Sequence, residues 1–162
     1  MARFVLVHGA FGGAWCWEPI VAPLEAAGHS VEAIDLPGSG DDPTPAGEVT
    51  LDAYAERICS VLGEREEPAI LVGHSAGGMA ITQAAARCPQ RIVGLAYVAA
   101  FLPQDGQSLV ALTQLPEGAA SAGRRATGGS TTMLACTWSP APSGSCVSAT
   151  RLCPSCGRNA AT

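Results

Sequence analysis

A chain of 162 residues is long enough for one domain with a buried core and short for two. With 48% hydrophobic and 14% charged residues it is no disordered polar chain, and a net charge of −5 argues against nucleic acid as a partner. No apolar run approaches the roughly 20 residues of a membrane helix, and the amino end lacks the succession of a signal peptide, so a cytoplasmic protein without a membrane partner is expected.

The first element is the apolar run Phe4-Val5-Leu6-Val7, which ends at His8-Gly9 and reads as a strand buried on both faces, as parallel sheets require. From Trp15 to Ala27, Trp17, Val21 and Leu24 recur at helical spacing, with Pro19 and Pro23 tolerable near a helix start and Gly28 able to close it. Residues 31 to 36 read as a second strand. Thr50 can cap a helix with Asp52 in its first turn and Leu51, Tyr54, Ile58 and Leu62 along one stripe. A strand follows at 69 to 73, then a helix from 76 to 88 that stops before Pro89, and a fourth strand at 92 to 99.

Strand and helix in alternation predict an α/β fold, a doubly wound parallel sheet with right-handed crossovers. If the order is second, first, third, fourth strand, winding reverses between the first and third, and a ligand crevice opens beyond their carboxyl ends. The loops 8 to 13 and 73 to 78 should then face each other.

Gly73-His74-Ser75-Ala76-Gly77 matches G-x-S-x-G, a sharp strand-to-helix turn that lifts a serine hydroxyl into such a crevice. Leu71-Val72 before it and Met79-Ala80-Ile81 after it supply the strand and helix the motif demands. Ser75 is therefore the candidate nucleophile. Attack on a carbonyl creates an oxyanion that needs preorganised donors. Ala76, at a helix amino end, has a free N–H for this, and the second donor is expected from the loop after the first strand, at Ala10 or alternatively Phe11. His8, Gly9, Gly73, His74 and Gly77 are read as the supporting loop residues.

Residues 3 to 103 resemble the α/β-hydrolases grouped with plant methylesterases and hydroxynitrile lyases, and similar bacterial esterases. The resemblance rests on FVLVHGAFGGAWCW (4 to 17), LEAAGHSVEAIDL (24 to 36), ILVGHSAGGM (70 to 79) and AAFLP (99 to 103). It implies hydrolysis of small carboxylic esters through an acyl-enzyme, with no metal and no organic cofactor. Ala10 carries no hydroxyl, which favours an esterase over a hydroxynitrile lyase, and a noncatalytic module binding small molecules is the alternative from another class. The resemblance covers only the front half of the fold, so an incomplete α/β-hydrolase of about four strands with an irregular carboxyl-terminal tail is expected, and the oligomeric state is left open.

In this fold the triad runs serine, acid, histidine, yet the only histidines are His8, His29 and His74, none beyond the elbow. His74 adjoins Ser75, but neighbours on such a turn point apart. After Ser75 the only acids are Asp105 and Glu117, neither placed to orient a histidine, and Asp35 reads as a structural element of the crevice wall. An impaired esterase is expected.

The chain divides at about residue 118. Residues 1 to 118 hold all 14 acidic residues and read as the amino-terminal part of the hydrolase domain, whereas 119 to 162 contain none and are dominated by Ser, Thr, Ala, Gly and Pro without period. A low-complexity, disordered or loosely attached tail is expected. The chain has no lysine and its composition suggests GC-rich coding DNA, so a frameshift near codon 118 is a hypothesis; a neighbouring frame with no hydrolase-like continuation would end it. Seven cysteines, an odd number without an export signal, are expected as free thiols. Cys153-Pro154-Ser155-Cys156 with Cys136 and Cys146 invites a zinc reading, but the first two lack C-x-x-C spacing and the expectation is no metal.

Overall fold

The computed structural model describes residues 1–115 and, beyond them, the strands Met133–Trp138 and Cys146–Leu152. Four parallel strands, β1 (Arg3–Val7), β2 (Ser30–Ile34), β3 (Ala69–His74) and β4 (Ile92–Val98), form a sheet in the order β2-β1-β3-β4. The winding reverses between β1 and β3, so the loops after those two strands meet at one crevice, as expected.

Each strand is followed by a helical crossover. A 3₁₀ turn (Ala14–Trp17) leads into α1 (Glu18–Ala26), which has Pro19 in its first turn and ends before Gly28 at φ 84°. Helix α2 (Leu51–Gly63) is capped by Thr50, whose hydroxyl accepts from the Ala53 N–H at 3.0 Å. Helix α3 (Gly77–Arg87) follows the elbow, and the short α4 (Leu109–Thr113) is capped by Ser108.

The two faces of the sheet are unequally covered. Helices α2 and α3 lie on one face and close the main core, in which Val5, Val7, Leu71, Ile58, Leu62 and Ile81 are buried. At about 1.5–3 kcal/mol per buried aliphatic side chain, this face supplies most of the hydrophobic stabilisation. On the other face only Leu6, Trp17 and Val72 are buried, with Phe4, Ile70, Ala96 and Val98 half-covered. Helix α1 fully buries none of its own residues; of the apolar stripe expected from Trp17 through Val21 to Leu24, Trp17 is buried and Val21 packs half-buried against the same cluster.

Arg3, at the amino end of β1, is buried to 1% exposure. Its guanidinium donates to the Val61 carbonyl at 2.8 Å and to those of Leu62 and Glu67 at 3.3 Å, capping the end of α2 where a cation complements the helix dipole.

The expectation of free thiols fails at one pair. Cys59 on α2 and Cys88 after α3 form a disulfide, their Cα atoms 6.1 Å apart. Packing of α2 on α3 brings together residues 29 positions apart, which spacing along the chain could not reveal. Within the stretch expected to lack regular structure, Met133–Trp138 (β5) and Cys146–Leu152 (β6) pair antiparallel, and β5 runs near β4 without joining its sheet. The other residues of the expected tail, Cys153 and Cys156 among them, lie outside the described residues, so the zinc and disorder readings there lie outside them too.

Candidate active site

The loop after β3 makes the elbow. Ser75 sits at φ 51°, in the left-handed region, and its backbone is held from both sides. Its N–H donates to the Val98 carbonyl at 3.3 Å, and its carbonyl accepts from Gly78 at 3.1 Å and Phe101 at 3.0 Å. The segment after β4 thus braces the turn, and Ala99 within it is itself at φ 44°. An Ala in that conformation carries no sequence signal, which is why this brace was missed.

Close approach explains the glycines around the serine. A Cβ at Gly77 would stand 2.6 Å from the His8 carbonyl oxygen, and one at Gly9 would stand 2.9 Å from the Ser75 Cβ. A Cβ at Gly73 would meet the Gly77 backbone at 2.9 Å. These contacts put the loop after β1 directly against the elbow, so the predicted residues Gly9, Gly73, Ser75 and Gly77 do come together.

In that loop Gly12 N–H donates to the Gly9 carbonyl at 3.3 Å, closing a four-residue turn with Ala10 and Phe11 at its centre. Phe11 takes φ 61°. Among the described residues, no protein acceptor meets the backbone N–H of Ala10, Phe11 or Ala76. These unused donors border a cavity of about 340 Å³ whose walls include His8, Ala10, Phe11, Tyr54, Ala76 and Leu109. Tyr54, read from the sequence as part of a core stripe, is half-buried and reaches this cavity.

The histidines are each accounted for. His8 is buried, and its Nε2 can only accept from the Leu36 N–H at 3.1 Å, so Nδ1 carries the proton and donates to the Gly9 carbonyl at 2.8 Å. It ties the loop after β2 to the loop after β1. His74 is exposed and meets the Trp17 ring edge-on at 6.4 Å. His29 Nδ1 accepts from the Ala2 N–H at 3.3 Å, at the opposite end of β1. Among the described residues no side chain hydrogen-bonds the Ser75 hydroxyl.

Asp35, expected as an element of the crevice wall, joins the loops after β1 and β2 and is not among the residues that line this cavity. Its carboxylate accepts from the Ala14 N–H at 2.6 Å and the Asp41 N–H at 3.1 Å, and Arg57 Nε donates to its carbonyl at 3.4 Å. Nearby, the Thr44 hydroxyl, with the Gly38 and Thr44 N–H groups, holds the Asp42 carboxyl below the usual aspartate value. Asp105 is exposed in the turn before α4, and Glu117 lies outside the described residues. No cluster of three or more His, Cys, Asp and Glu able to hold a metal occurs among the described residues.

A parallel sheet with a strained serine between strand and helix, opposite a loop of unused donors, defines the α/β-hydrolase class. The chain belongs to the Alpha/beta hydrolase family, which it matches over residues 4–155, a range that extends past Gly118. Among its relatives, methylesterase 7 of Arabidopsis thaliana is 46% identical over 105 residues, covering 62% of this chain and 40% of the relative. The carbendazim hydrolyzing esterase of Nocardioides sp. (strain SG-4G) is 44% identical over 114 residues, covering 69% and 47%. The crystal structure of polyneuridine aldehyde esterase superposes with a TM-score of 0.63 at 36% identity, over 69% of this chain and 45% of that one. The chain thus spans less than half the length of these relatives.

Proposed function

We propose that this chain is an α/β-hydrolase that attacks small carboxylic esters with Ser75 and is impaired in turnover. The observation that carries the reading is the elbow: a serine at φ 51°, packed against a loop whose N–H groups have no acceptor among the described residues. Strain held at a nucleophile beside unused donors is a catalytic arrangement, since folding alone would satisfy the donors and relax the backbone. The Ser75 hydroxyl adds to the ester carbonyl, and the oxyanion accepts from Ala76 and Ala10, with Phe11 the alternative second donor. The Ser75 proton passes to water or added base, collapse breaks the ester C–O bond and the leaving oxygen takes a proton to depart as the alcohol, and water then adds to the acyl group on Ser75 and releases it as the acid.

Among the described residues no histidine is placed to act as the base for this step. His8 has both ring nitrogens engaged, His74 faces Trp17, and His29 lies at the far end of β1. Loss of the base leaves only what the oxyanion hole and binding contribute, a deficit of up to about 10⁶ relative to a complete triad. The placement of the histidines favours, as a second reading, a noncatalytic module that binds small esters or acids in the same cavity.

Supplying the base separates the two. With p-nitrophenyl acetate and added imidazole, the native chain should release p-nitrophenolate faster than Ser75→Ala, and intact mass should show one acetyl group on the native chain. Equal rates for the two proteins at every imidazole concentration, without acetylation, would refute the esterase reading.

A further inference from the structure

We infer that Phe11 is a specificity-determining residue, selecting esters that carry an aromatic group over small aliphatic ones. This rests on the reading of the cavity as an ester site. Phe11 occupies the third position of the turn Gly9 to Gly12 with φ 61°, a position that such turns give to Gly or Asn because a side chain there crowds the backbone. Glycine is abundant in this loop, at 9, 12 and 13, yet the one residue that needs the left-handed conformation is an aromatic. Its ring is also fully exposed and belongs to neither core cluster.

Among the described residues, folding gains no burial from this side chain and bears backbone strain at its position. Both make sense if a ligand covers the ring. The cavity supplies the place: Phe11 lines it together with Ala10 and Ala76, whose N–H groups would hold the ester carbonyl. No Asp, Glu, Lys or Arg is among the residues that line it, so a charged group would be desolvated there without a partner. Tyr54 adds a second aromatic residue to the same walls, out of only eight in the chain. An aromatic group on the ester would bury the Phe11 ring by stacking or edge contact, which a methyl group cannot do.

The test is the ratio of dissociation constants for methyl benzoate and methyl acetate, measured by NMR titration on the native chain, Phe11→Ala and Phe11→Leu. Melting curves would accompany it to show that each variant is folded. The native chain should favour the benzoate by about tenfold or more, Phe11→Ala should lose most of that preference, and Phe11→Leu should recover part. A ratio that is the same in all three proteins overturns the inference. If Ser75 of the native chain is acetylated by p-nitrophenyl acetate while the ratio stays constant, the esterase reading stands and only the role of Phe11 falls. If the ratio depends on Phe11 but Ser75 is never acetylated, selection by Phe11 stands and the esterase reading falls. Binding of neither ester ends the inference.

Discussion

Among the described residues, three other than glycine, Phe11, Ser75 and Ala99, hold positive φ, and all lie on loops at the carboxyl ends of the strands. Each costs on the order of 1 kcal/mol, so the strain is confined to the end of the sheet where chemistry would occur. Phe11→Gly should accordingly raise stability by about 1 kcal/mol, read as a higher urea midpoint at unchanged slope; an unchanged or lower midpoint would contradict the strain. Gly77→Ala should act the other way, because its Cβ would press on the His8 carbonyl from 2.6 Å and the obstacle is backbone. A loss of about 1–3 kcal/mol is expected from overpacking of this kind, and Gly77→Ala melting at the native temperature would show that the two loops are not in contact. Asp42 provides a pH signature. Its carboxyl is held below the usual value chiefly by the Thr44 hydroxyl, so its contribution is present above about pH 4 and is lost as pH falls through the lowered value. Asp42→Asn should flatten the acid limb of melting temperature against pH, and identical limbs would remove Asp42 from the account. The motif made Ser75 visible in the sequence. Phe11 and Ala99 were not visible as strained, because neither residue type signals a left-handed backbone.

At the scale of elements, strands and helices were readable because strands covered on both faces are continuous apolar runs, and a parallel sheet places them regularly between helices. What joins the elements was less readable. Helices α2 and α3 are held by the Cys59–Cys88 disulfide and, on the surface, by Arg87 with Glu56 at 2.6 Å and Asp52 at 3.6 Å. The ion pairs are exposed and contribute little, whereas a cross-link over 29 positions restricts the unfolded chain by about 3 kcal/mol. Reduction should lower the melting temperature by several degrees, and Cys59→Ser/Cys88→Ser should melt with the reduced protein; a melting temperature indifferent to reductant would mean the thiols are free. Arg3 makes a further join at the amino ends of the strands. Arg3→Met removes the donor from the Val61 and Leu62 carbonyls at the end of α2, and a loss of about 1–3 kcal/mol in denaturant unfolding is expected. Nothing in the sequence set Arg3 apart from a surface arginine, since its role depends on the end of a helix almost 60 residues later.

For the whole molecule, the elbow and the facing loop come together because both hang from the adjacent central strands β1 and β3. Fold class and the elbow carrying the serine were legible in the sequence alone: apolar runs, turn residues and a five-residue motif are local, and the physics that reads them is local as well, whereas strand order, a non-local pairing, entered only as a condition. Only the tertiary structure decided the rest. It engaged His8 between Leu36 and Gly9, turned His74 toward Trp17, brought Tyr54, packed on the main core, to the cavity wall as well, and joined Cys59 to Cys88. Each outcome depends on which distant backbone or side chain arrives beside a residue, and that proximity is set by the parallel alignment of the strands and by packing on both faces of the sheet, not by position along the chain.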